Sequence, residues 1–372
     1  MSQQQKLSIL QVCHDTKGPF IGVCRQYAAA FEGHEVTTVF LKGVEDYDTL
    51  RRVGGTRVLF LEKGKSKQGL RGLKLNTLCK MAKLLRRNHY DIAIAHRYKA
   101  LYIVGILSLF FTMPRILAVA HEYNMFLRLP RRLFFKVVGK KIRVAGVSKV
   151  VTEEIALRCP SLLHEKRLYT LYNTVPKLRA ETLISKADAR EKLGLKTSSF
   201  VIGTIGRLVK KKNHKILIRA FSELGIDESQ LLIIGSGPEE SQLRHCASEL
   251  DVEASVIFAG YLSDAYRYLN AYDIFVLSSN SEEAFGIVLL EAMQARVAIV
   301  SSNAPGPKEV LGSSATLFDV DNADDLREKL KLALGRSGVE SQKLIDDAYE
   351  RLQNKFGEAE FKSRLFSALD IA

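Results

Sequence analysis

Cysteine is scarce in this 372-residue sequence, and the five present (Cys13, Cys24, Cys79, Cys159 and Cys246) are odd in number, scattered, and form no C-x-x-C pair. That argues against a disulfide framework and a thiolate zinc site, and it suits a reducing cytoplasm. Long apolar runs are missing too. The longest uncharged stretch, Ala100–Pro114, covers 15 residues, whereas a spanning helix needs roughly 20. The apolar run behind the first residues, Leu7–Cys13, is too short for a signal peptide. A soluble or peripheral protein is expected. Acidic residues are thin in the first half: residues 1–180 hold 12 Asp and Glu against 32 Lys and Arg, and the rest hold 29 against 23. A basic half joined to a mildly acidic one points to an anionic partner for the first half. Nucleic acid, an anionic membrane surface and a phosphorylated acceptor all qualify, beside a plainly solvated basic face.

What is present is ordinary globular composition, 47% hydrophobic and 26% charged, in a chain long enough for two domains. Apolar β-branched runs alternate with amphipathic segments of helix length, the pattern of a parallel sheet covered by helices. Strands are expected at Leu7–Cys13, Glu35–Leu41, Arg57–Leu61, Asp91–Ala95, Arg115–Ala120 and Ile142–Val147. Helices are expected near Phe20–Phe31, Gly69–Arg87, Lys99–Phe111 and Arg131–Gly139. Ile92-Ala93-Ile94-Ala95 is apolar at consecutive positions, as in a strand buried on both faces. Asn173-Thr174-Val175-Pro176 opens a polar stretch to about Thr197. Then the alternation restarts with strands at Phe200–Gly206, Gln230–Gly235, Val256–Gly260, Ile274–Ser278 and Ala298–Ser301. The expected domains are 1–172, joined by a terminal helix near 357–372, and 173–356.

Three segments carry chemistry. Strand residues Val201–Ile205 run into Gly206, then the basic loop Arg207–Lys212, then a helix near Asn213. Glycine admits close approach of backbone, and amides at a helix start favour anions, so with Arg207 and Lys212 a diphosphate is the natural guest. Leu231–Ile234 runs into Gly235-Ser236-Gly237, a weak signal alone. The third is Ser281–Met293, where Phe285-Gly286-Ile287 should be a helix's first turn, with unpaired N–H groups and the positive end of a dipole. Glu283 stands just outside that turn and could accept from sugar hydroxyls. Glu291, among Leu289, Leu290, Ala292 and Met293, needs a partner that a ribose diol would supply.

Glu283 and Glu291 stand as E-x7-E. With G-R-L-x3-K at Gly206–Lys212 and G-S-G-P-E at Gly235–Glu239, they resemble glycosyltransferase family 4, retaining enzymes of the GT-B fold, and bacterial lipopolysaccharide-core sugar transferases among them. The resemblance implies an α/β protein of two Rossmann-like domains facing across a cleft. It implies that Arg207 and Lys212 contact the donor diphosphate and that Glu291 binds the ribose. It further implies that Glu283 and the Phe285-Gly286-Ile287 backbone hold sugar and phosphate, and that Tyr261 and Leu262 lie beside the base. His121, after a strand, matches the family's histidine near the reacting sugar. Gly18 and Gly22 occupy the place of the family's glycine-rich first loop, although the adjacent glycine pair is absent. His96, Arg97 and Lys99, after another strand, suit acceptor contacts.

Transfer of a hexose-type sugar from a nucleoside diphosphate, UDP favoured, to a glycan or lipid-linked glycan hydroxyl is therefore expected, in lipopolysaccharide-core or envelope polysaccharide synthesis. Such a site neutralises its leaving group with Arg and Lys, so no metal and no cofactor beyond the donor is expected. Asp319-Val320-Asp321 and Asp46-Tyr47-Asp48 spell D-x-D but are read as structural, the first in a turn away from the phosphate-binding features and the second in a loop. Bases interleaved with Leu and Phe along Gly69–Arg87 and Met125–Lys136 suit docking on anionic lipid, here the inner face of the plasma membrane, by a cytoplasmic protein. A sugar-nucleotide epimerase would share this architecture. A nucleic-acid binder is suggested only by the net charge of +14, and the acidic second half speaks against it. Nothing in the sequence bears on oligomeric state.

Overall fold

The computed structural model describes residues 6–16, 20–43, 47–62, 75–177 and 182–371. The chain divides into two units, one running to Asn173 and resuming at Phe361, the other from Thr174 to Glu360.

The first unit holds β1 (Ser8–Cys13), β2 (Glu35–Phe40), β3 (Arg57–Phe60), β4 (Ile92–His96), β5 (Arg115–Ala120), β6 (Ile142–Gly146) and β7 (Leu168–Thr170). They form one parallel sheet in the order β3-β2-β1-β4-β5-β6-β7. Every residue of β4 is buried, which is why its sequence is apolar without alternation. The helix expected at Lys99–Phe111 runs Arg97–Leu107 instead. It starts early because β4 turns into it with no connecting residue, and Arg97 takes φ +70° at the junction. It stops where Ser108 folds its hydroxyl onto the Gly105 carbonyl at 2.8 Å. The helix Leu129–Val138 has Pro130 in its first turn, where a missing N–H costs nothing. Tyr47 opens a helix, Tyr47–Val53, rather than sitting in a loop; Asp46 lies outside the described residues. The helix expected at Gly69–Arg87 is described from Leu75 to Arg87, and its Leu70, Arg71, Leu73 and Lys74 fall outside. At the chain's end, Phe361 meets Tyr27 edge-on at 5.0 Å and Phe366 stacks on Phe31 at 5.4 Å.

The second unit holds β8 (Phe200–Ile205), β9 (Ser229–Ile234), β10 (Val256–Gly260), β11 (Ile274–Leu277), β12 (Ala298–Ser302) and β13 (Thr316–Phe318), parallel in the order β10-β9-β8-β11-β12-β13. Ile202, Leu231, Ile233, Val276 and Val300 of the sheet pack with Leu217, Phe221, Leu243 and Leu330 of the helices. The polar stretch after Asn173 contains a helix, Lys186–Lys192. Its Arg190 is buried against Asp273 at 2.7 Å and donates to the carbonyls of Ala271 and Thr197, so its charge is fully partnered. No helix among the described residues is long and apolar enough to cross a membrane.

Both sheets reverse direction of growth at their first strand. β1 lies between β2 and β4, and β8 between β9 and β11. A crevice opens at the carboxyl ends of strands where order reverses, and ligands of open parallel sheets bind there.

Candidate active site

In the second unit, the loops that follow β8 and β11 meet at this reversal. Gly206 leaves β8 with its N–H on the Ile234 carbonyl at 2.9 Å, and Gly235 leaves β9 with its N–H on the Gly260 carbonyl at 2.8 Å. A Cβ on Gly235 would lie 1.8 Å from the Gly206 oxygen, and one on Gly237 2.2 Å from the Leu208 oxygen. The Gly-x-Gly is thus required by backbone meeting backbone, whatever else it contacts. Beside it, Gly260 has φ +70°, Tyr261 is exposed and Leu262 half-buried.

The basic loop is tied down at Lys211 and Lys212, whereas Arg207 and Lys210 are exposed and form no ion pair among the described residues. Lys212 reaches Glu283 at 2.6 Å, and Lys211 stands 4.0 Å from the other carboxylate oxygen. Ser279 donates to Glu283 at 3.1 Å. Ser278 donates to the Lys212 carbonyl at 2.9 Å, and the Asn280 N–H to the Lys211 carbonyl at 2.8 Å. Glu283 is buried. Burial alone would raise its pKa, but Lys212 and Lys211, with hydrogen bonds from Lys212 and Ser279, outweigh that and hold it below the usual carboxylate range. Its carboxylate grips Lys212 and Ser279 through one oxygen, with Lys211 beside the other, a partnership the sequence did not point to. His214, just behind, is buried and held neutral, its pKa lowered to about 3 by burial and then by Lys212.

Gly286 caps the helix Ile287–Gln294 with φ +83°, so the helix begins at Ile287, later than the sequence suggested. Glu291 is half-buried and lies one turn inside. Phe285 turns its ring inward against Phe356, edge-on at 5.8 Å, leaving backbone as its contribution to a site. Gly306 admits the neighbouring helix Pro305–Leu311, since a Cβ there would fall 2.4 Å from the Glu283 oxygen. The D-x-D after β13 is closer to the site than expected. Asp321 accepts from the Asn213 side chain at 2.7 Å, and Asn213 follows Lys212 directly at the start of the helix His214–Ser222. Asp319 accepts from Asn303 at 2.7 Å.

In the first unit, the carboxyl ends of β1, β4 and β5 surround a pocket of about 380 Å³ lined by His14, Arg97, Lys99, His121, Glu122 and Arg131 among others. Arg97 pairs with Glu122 at 2.7 Å and lies over Phe20 at 4.9 Å. Lys99 stands 3.0 Å from His14, which is 2.8 Å from Asp15. The Lys99 ammonium is lowered by partial burial and by its basic neighbours Arg97, Lys42 and Arg131, against the pull of Asp15. His96, expected to touch an acceptor, cannot do so: it is wholly buried. It hydrogen-bonds to His121 at 3.0 Å and to Gln11 at 3.1 Å. Gly22 sits in the helix Phe20–Ala30, and Gly18 lies outside the described residues. Lys211 and Arg131 lie in segments that the sequence marks as basic, but nothing there singles out either of them, and nothing points to Ser279 or His14. Gln11 did leave a mark, as a lone amide within an apolar strand.

Residues 185–351 match the family model described as glycosyl transferases group 1. A relative is the lipopolysaccharide core biosynthesis glycosyltransferase LpsD of Rhizobium meliloti, 35% identical over 178 residues, which cover 43% of this chain and 51% of that protein. The chain spans about half the length of the first curated relatives it matches (51% and 48%). Among solved structures, a glycosyltransferase from Rickettsia africae superposes with a TM-score of 0.81 at 17% identity, covering 99% of this chain and 98% of that one. Anabaena Alr3699/HepE in complex with UDP and glucose gives 0.80 at 18%, covering 98% and 99%.

Proposed function

We propose that this chain, of GT-B fold and with a glycosyl transferases group 1 domain over residues 185–351, is a retaining glycosyltransferase. It takes a hexose-type sugar from a nucleoside-diphosphate sugar, UDP-linked by preference, to a hydroxyl of a glycan or lipid-linked glycan. The observation that carries this is that Lys211 and Lys212 converge on Glu283, just ahead of the N-terminus of the helix Ile287–Gln294, where β8 and β11 part, with Arg207 exposed on the same basic loop. As the bond from the sugar's anomeric carbon to the diphosphate breaks, its electron pair stays on phosphate oxygen, and fixed cations and a helix dipole stabilise that charge. Lys212 is held in place beforehand by Glu283 and retains further N–H donors for phosphate. The acceptor oxygen bonds to the same face of the anomeric carbon and gives up its proton to the departing oxygen. Glu283 orients the sugar through Lys212 and the adjoining backbone, Glu291 takes the ribose hydroxyls, and Tyr261 and Leu262 flank the base. Charge on the leaving group is met by these cations, so the reading includes no metal and no cofactor.

The pocket of the first unit is read as the acceptor side, with Arg97 and Lys99 for contacts and His121 toward the sugar. The UDP seen in HepE and the lipopolysaccharide role of LpsD support the donor and the pathway class. The exposed Leu129, Leu133 and Val137 of the helix Leu129–Val138 stand among Arg128, Arg132 and Lys136. That supports peripheral docking on the inner face of the plasma membrane by a cytoplasmic protein, without a nucleic-acid partner. Calorimetry with UDP and other nucleoside diphosphates tests the donor site. Micromolar binding should weaken at least tenfold in Arg207→Ala and in Glu291→Ala, about the worth of one charge-assisted hydrogen bond. Undiminished binding in both variants would remove the site.

A further inference from the structure

Buried Gln11 and His96 and half-buried His121 form a line whose proton positions follow from chemistry alone. The Gln11 amide nitrogen lies 3.1 Å from the Cys24 carbonyl and 3.0 Å from the Thr38 hydroxyl. A carbonyl can only accept, so the amide cannot be turned round without setting two oxygens against each other. Its Oε1 therefore faces His96 Nε2 at 3.1 Å and requires a proton there. His96 is wholly buried, edged by the Tyr27 ring at 4.7 Å, and burial holds its pKa near 3. A neutral ring with its proton on Nε2 has a bare Nδ1. That Nδ1 is 3.0 Å from His121 Nε2, so His121 must be the donor across that bond. The opposite assignment would leave a pair of acceptors in contact.

We propose that Gln11 and His96 are positioning residues that fix His121 as the Nε2–H tautomer, so that its Nδ1 is an acceptor for a sugar hydroxyl in the first-unit pocket. The idea rests on the reading of that pocket as a sugar-handling site. Burial, His96 and Arg97 all hold the His121 imidazole well below its ordinary pKa, and Phe20 packs edge-on to it at 5.5 Å. A neutral ring with a fixed acceptor selects for a hydroxyl at the position it meets, since a sugar lacking that hydroxyl leaves the acceptor unpaired.

Histidine-selective ¹⁵N–¹H NMR on the unliganded full chain at pH 7 tests the tautomers directly, the resonances being assigned by single histidine substitutions. Both His96 and His121 should carry their proton on Nε2. His96→Leu should release His121 into a mixture of tautomers and lower kcat about tenfold, the worth of one hydrogen bond, with the donor KM little changed. His96→Gln offers a carbonyl to His121 and an N–H to Gln11, and should restore the tautomer and bring kcat back to within a few-fold. A proton on His121 Nδ1 in the wild type, or an unchanged tautomer in His96→Leu, would overturn the relay. So would a kcat that stays low in His96→Gln although the tautomer has returned. Absence of any sugar transfer by a chain showing both Nε2–H tautomers would instead strike the proposed function and leave the relay standing.

Discussion

Glu283 is a carboxylate that burial alone would neutralise, yet it stays charged because two lysines and a serine hold it. Removing one partner of a buried pair leaves an uncompensated charge, which costs far more than the pair itself contributes. Lys212→Ala should therefore destabilise the fold by about 3–5 kcal/mol in urea titrations at pH 7, whereas Lys212→Ala combined with Glu283→Gln should recover most of that loss. The folded pKa of Glu283 is lowered, so its share of stability is present above the unfolded pKa and is lost as pH falls through the folded value. The deficit of Lys212→Ala should accordingly shrink on acidification, and a deficit constant with pH would mean that Glu283 is not the group responsible. The sequence pointed to both residues as site candidates but not as partners. They lie 71 positions apart, and no local pattern encodes which lysine of three in a row reaches across.

At the scale of elements, the parallel strands were legible wherever burial on both faces makes a run apolar, as in Ile92–Ala95 and Leu231–Ile234. β7 and β13 were not, for three residues at the edge of a sheet set no period. The junction of β4 with the helix Arg97–Leu107 was hidden for another reason. A positive φ is signalled in sequence by glycine, and here an arginine adopts it, at φ +70°. Such strain costs about 1–3 kcal/mol and persists where surrounding structure imposes it, commonly at functional positions. It is set against an exposed ion pair with Glu122, worth about 0–1 kcal/mol, and about 0.5–1 kcal/mol of extra chain entropy if glycine replaces it. These nearly cancel. Arg97→Gly should then melt within a few degrees of the parent while raising the acceptor KM severalfold. A large fall in melting temperature with unchanged acceptor KM would show that Arg97 serves the fold instead.

Across the whole molecule the decisive asymmetry is charge, 32 bases against 12 acids in residues 1–180. Composition made that legible, but it left nucleic acid, an anionic membrane surface, a phosphorylated acceptor and a solvated face all open. The proposal of a membrane rests on the helix Leu129–Val138. Phe135 and Val138 go into the core, whereas Leu129, Leu133 and Val137 remain in water beside Arg132 and Lys136. Exposed apolar groups gain from an acyl boundary and nothing from a phosphate backbone, so the mixture favours a membrane. Each base near an anionic surface is worth about 1 kcal/mol, and raising salt from 0.1 to 1 M shortens the screening length from about 10 to about 3 Å. Sedimentation with vesicles of phosphatidylglycerol and phosphatidylethanolamine should fall steeply over that range, yet not to zero, because the leucines are indifferent to salt. Arg132→Ala with Lys136→Ala should weaken partitioning by roughly thirtyfold at low salt, two bases' worth, and leave UDP binding unchanged. Binding to vesicles that is equal with and without the anionic lipid would refute docking through charge. Tight binding to duplex DNA with a slope of several phosphates per decade of salt would return nucleic acid as the partner.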